Sequence, residues 1–231
     1  FIRGAENILI NLSLGISELG HEVVVFNNCS NEYKSRNYSW LNIKRIDYNN
    51  IYFDIAISNN DTRLLDKINS TKKFVISHSL LNIEKFIRKK QFKSYFKNKP
   101  IYLLLGKYHE SKMSKLFSIY GTKTIDYGLD KVFLDKTIEN NIENNLAMFT
   151  SRTDRNLDLL IDVWKSSIIT KNNELKLYVT PVNNNLEKFG IFNRNFVDKN
   201  EFINQLVKSR VILLPGHKAE LYCLAASEAQ E

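Results

Sequence analysis

The sequence predicts an α/β protein made of two parallel-sheet domains, and three observations carry that reading. Short β-branched apolar runs recur along the chain, segments of helical period fall between several of them, and the alternation restarts after one long polar stretch. Turn formers are scarce, with 3 Pro and 8 Gly in 231 residues, which argues against a sandwich or barrel full of tight turns. The hydrophobic content of 43% is ordinary for a globular chain of one to two domains, long enough to bury a sizeable core.

Ala5, Ile8, Leu9, Leu12, Ile16 and Leu19 recur at three- and four-residue spacing, so 5–19 reads as a half-buried helix, stopped by Gly20 as its C-cap. Glu22-Val23-Val24-Val25-Phe26 follows as a short run of the kind buried in parallel sheets. Similar runs stand at 53–57, 74–76 and 101–105, with helical stretches around 61–69, 81–97 and 107–120. Residues 135–145 (DKTIENNIENN) are polar and lack Pro and Gly, and read as an interdomain linker. Strands are then expected at 146–149, 175–179 and 211–214, and helices at 155–169, 199–209 and from 220 onward. This divides the chain into domains at 1–140 and 141–231, both Rossmann-like. A sheet of that kind needs several βα units to close, so the second domain reads as incomplete at residue 231. The opening Phe1-Ile2-Arg3-Gly4, without Met, reads as the inside of a domain.

Cys29 and Cys223 are far apart and in no metal-ligand spacing, which places the chain in a reducing, cytoplasmic compartment. No apolar run approaches the ~20 residues that span a bilayer, and no basic stretch leads into an apolar core at the start. The net charge of +8 points to nucleic acid, an anionic membrane or a phosphorylated ligand.

Four features carry chemistry. In the first, Leu213-Leu214-Pro215-Gly216 is followed by ELYCLAASEA at 220–229, which sets Glu220 and Glu228 eight positions apart. On a helix that is slightly over two turns, so both carboxylates share a face. Glu220 would stand at the helix start, where the dipole favours an anion, and the N–H groups of Tyr222, Cys223 and Leu224 could receive a phosphate. On spacing alone, a Glu helping its own helix start and a second Glu on a solvated face account for the pair better. The second feature is SRTDRNLDLL at 151–160, where Arg152 and Arg155 lie on a strand-to-helix loop. Guanidinium forks suit a diphosphate there, although a helix start capped by Ser151 or Thr153 accounts for the same residues. The third is Gly4 in Arg3-Gly4-Ala5-Glu6, where a glycine lets a ligand approach the backbone. The fourth is His78 in FVISHS at 74–79, again at a strand's carboxyl end. A lone histidine is more often structural, and nothing recommends His109 or His217.

In order and spacing these features resemble the glycosyltransferases of family 4 (group 1), which have the GT-B fold. Gly4-Ala5-Glu6 with Gly20-His21-Glu22-Val23 looks like that family's first helix and second strand. DYGLDKVF at 126–133 resembles the segment that ends its first domain, 151–160 its phosphate-binding loop, and Glu220 with Glu228 its paired glutamates. Arg3 and Asn156 stand where the family has glycine, as do Leu221 and Cys223 after the first glutamate.

The resemblance implies two Rossmann-like domains facing across a cleft, and retaining transfer from a nucleotide diphosphate sugar without a cofactor or required metal. The acceptor would be a glycan or lipid-linked molecule in surface polysaccharide or glycoconjugate synthesis. Arg152 and Arg155 would neutralise the departing diphosphate, Glu220 would hold the donor sugar, Glu228 the ribose, and His78 would face the reacting carbon. No Asp-x-Asp metal pair stands at a strand end.

The positive charge concentrates in EKFIRKKQFKSYFKNKP at 84–100. Lys85, Arg88, Lys89, Lys90, Lys93 and Lys97 alternate with Phe86, Ile87, Phe92, Tyr95 and Phe96. A basic amphipathic helix suits an anionic membrane surface, on the inner membrane face, or a polyanionic acceptor. A solvated helix with its aromatic side in the core accounts for the pattern as well. Nucleic acid is disfavoured, because no binding module is visible. Two alternatives remain open: a non-catalytic GT-B binding or scaffold subunit, and a GT-B sugar-nucleotide epimerase.

Overall fold

The computed structural model describes residues 4–44, 51–129, 131–134, 142–182, 185–195, 197–218 and 220–230. The chain divides into two compact units, Phe1–Tyr127 and Gly128–Glu231. Most of the expected linker, 135–141, lies outside the described residues.

In the first unit, α1 (Gly4–Glu18) ends two residues before Gly20, whose φ of +92° is the left-handed cap that glycine adopts without strain. The strand β1 (Val23–Asn27) pairs in parallel with β3 (Tyr38–Asn42), and β3 pairs antiparallel with the two-residue β2 (Tyr33–Lys34). The sequence reading missed β2 and β3, since neither is a continuous β-branched run.

A second sheet contains β4 (Tyr52–Asn59), β5 (Asn69–Ile76), β6 (Ile101–Leu104) and β7 (Thr122–Thr124) in that order, all parallel. The segment expected as a helix at 61–69 is a single 3₁₀ stretch, Thr62–Lys67, started by the Asp61 carboxylate accepting from Arg63 N, with Asn69 already in β5. The segment 107–120 is α4 (Lys107–Lys112) followed by a 3₁₀ turn, Lys115–Ser118.

The expected continuous helix at 81–97 is instead α2 (Ile83–Arg88) and α3 (Phe92–Asn98). Lys90 takes φ +52° between them, and Gln91 is 1% exposed. The Gln91 side-chain oxygen accepts from Thr62 N at 3.2 Å, and its carbonyl accepts from Thr62 Oγ1 at 3.2 Å. Satisfying this buried Thr62–Gln91 pair outweighs helix continuation. The unit's core is aromatic: Phe86 and Phe117 lie 4.3 Å apart between ring centres, and Tyr95 donates to the Leu116 carbonyl at 2.8 Å.

In the second unit, α5 (Lys131–Leu134) precedes a sheet of β8 (Glu143–Met148), β9 (Lys176–Val179), β10 (Ile191–Asn193) and β11 (Ser209–Ile212). All pairs are parallel and the spatial order is β10-β9-β8-β11. Glu143, Asn144 and Asn145, expected in the linker, form the first half of β8, the first two exposed and the third half-buried, with Glu143 paired to Ser209. The helix expected at 155–169 is α6 (Leu157–Val163) continued by a π-helical turn, Trp164–Ile168. Trp164 is 2% exposed and its indole N–H donates to the Phe189 carbonyl at 2.9 Å. α7 (Lys199–Lys208) is capped by Asp198, which accepts from Glu201 N at 2.9 Å. α8 (Leu224–Gln230) closes the unit.

Gly190 has φ +67°, and a Cβ there would lie 2.5 Å from the Leu175 carbonyl oxygen. Replacement by alanine must move the backbone that leads into β9. Gly20→Ala, at positive φ but in open space, is expected to lose about 1–2 kcal/mol of stability from left-handed strain alone. Urea denaturation should show Gly190→Ala losing clearly more. Equal losses would mean that the Leu175 contact does not constrain this turn.

Candidate functional site

Because β8 and β11 are parallel neighbours, with Met148 opposite Ile212, the loops that follow them leave the sheet side by side. The first loop carries Arg152, Arg155 and Asn156; the second carries Pro215, Gly216, His217 and Glu220. Arg155 Nη1 donates to His217 Nδ1 at 3.1 Å, and Asn156 Nδ2 donates to the Gly216 carbonyl. Asn156 is left-handed, at φ 59° and ψ 32°, and stands as the N-cap position of α6. Thr180 Oγ1 donates to the Ser151 carbonyl at 2.6 Å and fixes the start of the first loop to the end of β9.

The two guanidiniums differ. Arg152 is exposed and paired with Asp154 at 2.7 Å, whereas the Arg155 side chain is only 21% exposed. His217 was passed over in the sequence because a single histidine in a polar loop has no periodicity. Its one signal is its place directly after a Pro-Gly at a strand end.

The expectation that Glu220 opens a helix shared with Glu228 is corrected. The chain turns at Gly216 (φ +70°), Glu220 N donates back to the His217 carbonyl at 2.8 Å, and helical structure begins only at Leu224. Glu220, Tyr222 and Cys223 therefore lie in the loop before α8, and the eight-residue helical spacing does not relate the two carboxylates. The Cys223 carbonyl accepts the first helical N–H groups, from Ala226 and Ser227 at 3.1 and 3.2 Å. Burial, reinforced by the nearby Glu220 carboxylate, pushes the Cys223 thiol up. Glu228 is half-buried on α8. Burial raises its carboxyl, and the Lys199 ammonium opposes that rise.

The first unit has its own cluster, at the carboxyl ends of β4 and β5. His78 follows β5; its N–H donates to Asn60 Oδ1 at 2.7 Å, its Nδ1 is hydrogen-bonded to Tyr127 Oη, and the two rings stack with centres 5.8 Å apart. Burial lowers the His78 pKa. A small hollow beside it is lined by Ile8 and Leu9 of α1 and by Ile57, Ser58, Asn59 and Ile76. Ser58 is 4% exposed and its hydroxyl has no partner. Gly4 opens α1. His109 is fully buried; its Nδ1 accepts from Leu105 N at 3.3 Å, and burial pushes its pKa down to about 4.

The basic segment is split by the α2–α3 break. Arg88, Lys89, Lys90, Lys93 and Lys97 are exposed, together with Ile83, Ile87 and Phe96 at 45%, 62% and 47%. Lys85 departs from the expected solvent-facing row: it is half-buried and its Nζ donates to Ser79 Oγ. Among the described residues no helix is long and apolar enough to cross a membrane.

No family model matches this sequence, and no curated protein matches it. Solved structures do match. TarM aligns with a TM-score of 0.56 at 17% identity, over 76% of this chain and 38% of that one. A substitution mutant of S. aureus TarM in complex with fondaparinux, alpha-GlcNAc-glycerol and UDP gives 0.55 at 15%, over 76% and 39%. WaaG, a glycosyltransferase involved in lipopolysaccharide biosynthesis, gives 0.64 at 11%, over 99% and 75%. The chain thus spans about two-fifths of the length of TarM. At these identities the likeness is one of fold: the α/β architecture with parallel sheets is that of the GT-B glycosyltransferases.

The raised Glu228 carboxyl has a measurable sign. A group whose folded pKa lies above its ordinary value of 4.5 favours folding below that pH, and this contribution is lost as pH rises through the folded pKa. Glu228→Gln is therefore expected to melt above the parent at pH 7–8, with the gap closing toward pH 4. A Gln variant that melts lower at pH 8 would show that the charged carboxylate is well solvated or paired.

Proposed function

We propose that this protein is a glycosyltransferase that moves a sugar from a nucleotide diphosphate sugar to a glycan or lipid-linked acceptor, with retention of configuration and without a required metal. The observation that carries the reading is the meeting of the β8 and β11 loops. Parallel pairing brings Arg155, His217 and the Glu220 loop to one edge of the second unit, on a fold shared with glycosyltransferases. Ligands of open α/β sheets bind at such carboxyl edges. One of the similar structures holds UDP and a GlcNAc-glycerol, which supports a nucleotide donor and a hydroxyl acceptor here.

In this reading Arg152 and Arg155 stabilise charge developing on the departing diphosphate. The N–H groups of Tyr222, Cys223 and Leu224 contribute to holding its phosphates. Glu220 orients the donor sugar and Glu228 accepts from the ribose hydroxyls. His78, whose pKa burial lowers, faces the reacting carbon, and Gly4 admits the donor close to the start of α1. The donor is assigned to 141–231 and the acceptor to 1–140.

The exposed row of lysines interleaved with Ile83, Ile87 and Phe96 supports peripheral attachment to an anionic bilayer, where apolar side chains enter the interface and cations meet lipid charge. In vesicle sedimentation, K89E/K90E/K93E is expected to lose most binding to anionic lipid. Undiminished sedimentation would remove the membrane assignment and leave the transferase assignment standing.

Glu220→Gln tests the transferase directly. The substitution keeps side-chain size in a loop, so melting should stay within a few degrees of the parent. A misplaced donor sugar should lose about 100-fold in transfer rate, read against a panel of nucleotide diphosphate sugars. Glu228→Gln should mainly raise the donor KM, because ribose contacts are equal in ground and transition states. Parental turnover by Glu220→Gln would overturn the roles assigned to the two glutamates and favour a non-catalytic binding subunit.

A further inference from the structure

Many cations of the first unit form no ion pair with a carboxylate among the described residues, and three of them, Lys85, Arg88 and Lys89, lie together. Lys85 is half-buried, yet the acceptor it has found is a neutral hydroxyl, Ser79 Oγ. An ammonium has three N–H donors; one is used here, and the other two have no protein acceptor among the described residues. One turn along, Arg88 and Lys89 are exposed on the end of α2. Glu84 on the same helix forms no ion pair with any of the three among the described residues. The other nearby carboxylate, Asp61, lies within electrostatic reach of Lys89, but its oxygens are committed to Arg63, at 3.0 Å from Nε and 2.5 Å from Nη2.

This group adjoins the His78 cluster. Ser79, which holds Lys85, is the next residue after His78, and its carbonyl accepts from Ser77 Oγ at 2.7 Å, so the turn is tied down from within. His109, buried behind it, feels both His78 and Lys85 electrostatically. His78 also borders the hollow that Ser58, whose buried hydroxyl has no partner, helps to line. A partly desolvated ammonium is unfavourable without a counter-charge. Burial, with repulsion from Lys89 and Arg88, indeed lowers the Lys85 pKa, the opposite of what a resident carboxylate would do.

We infer that the acceptor is gripped by an anionic group, a phosphate or phosphodiester, seated on Lys85, Arg88 and Lys89 beside His78. This rests on the transferase reading and gives the acceptor a chemical class: a phosphorylated glycan or a lipid-linked phosphate, rather than a neutral sugar. The phosphate takes the two free N–H donors of Lys85 and the exposed guanidinium of Arg88. The hydroxyl to be glycosylated, carried on the same molecule, is then held near the His78 ring and the Ser58 hollow.

The test uses the full chain and reads the His78 ring resonance by NMR, assigned by its loss in His78→Asn. One arm titrates inorganic phosphate. The other adds phosphatidylcholine vesicles with and without phosphatidylglycerol. Phosphate or anionic vesicles should shift the His78 signal, with Lys85→Met weakening that response about tenfold, as expected for loss of a charge-assisted contact. R88Q/K89Q should weaken it as well, while K115Q/K123Q, which removes the same charge elsewhere on the unit, should not. A response to phosphate alone names a soluble phosphorylated acceptor, and a response to anionic vesicles alone names a lipid phosphate; both support the inference. No shift with either probe, no effect of Lys85→Met, or equal weakening by K115Q/K123Q overturns it.

Donor binding by the same variants, measured by calorimetry with the nucleotide-sugar panel, separates the two claims. Donor binding without an anion response sinks only the acceptor class. An anion response in a protein that binds and transfers no sugar sinks the transferase reading and leaves an anion site.

Discussion

In a parallel sheet every strand ends at the same edge, so residues that are distant in sequence leave the sheet as neighbours. Met148 and Ile212 are paired across β8 and β11. Seven residues after the first and five after the second, Arg155 and His217 are 3.1 Å apart. In the first unit, β4 and β5 do the same for Asn60 and His78. Both candidate clusters depend on this one constraint, and each joins segments that are distant in sequence. Once backbone pairing is fixed, the loops can vary in composition and still deliver their side chains to the same edge.

The interior polar groups show how that edge is kept in place. Thr62 and Gln91 satisfy each other at the cost of breaking a helix. Asp66 accepts from Ser94 at 2.5 Å and from Asn98 at 2.7 Å, and Asn98 in turn accepts from Lys73 at 2.7 Å. These bonds tie α3 to the 3₁₀ stretch and to Lys73 of β5, the strand after which His78 follows. Lys73 and Lys85 differ within this region: Lys73 bonds two neutral oxygens with Asp66 in electrostatic reach, whereas Lys85 has one hydroxyl acceptor and two cations as neighbours.

Much of the architecture was legible in the sequence because burial writes a period into it. The Val23-Val24-Val25 run and the alternation of strands with helices follow from sheets covered on their faces. The three- and four-residue spacing located α1, although its most buried residues are Ser13 and Ser17, and Leu19, expected in the stripe, is 79% exposed. The elements that went unread have no such period. β3, YSWLN, is half-buried at every position, and β7, TKT, is held by backbone pairing to β6. The break at Lys90 was unreadable for a different reason. Its cause, Thr62, lies 29 residues away, and local helix preference carries no trace of it. The candidate residues were legible as types at strand ends. Their geometry was not: Glu220 and Glu228 fit a helical spacing, and only the turn at Gly216 and His217 shows that the spacing is a coincidence.

Asn156 stands where the family that this loop resembles has glycine, yet it occupies the left-handed conformation at φ 59°. Asparagine is the side chain that most readily adopts that conformation after glycine, and here its amide also closes the loop onto the Gly216 carbonyl. Asn156 thus keeps a left-handed turn that glycine would also allow, and adds an amide contact that glycine could not make. Likeness counted letter by letter records such a change as a loss, whereas likeness of backbone course records nothing at all. A chain that accumulates replacements of this kind drifts out of reach of its relatives' sequences while its loops keep their path.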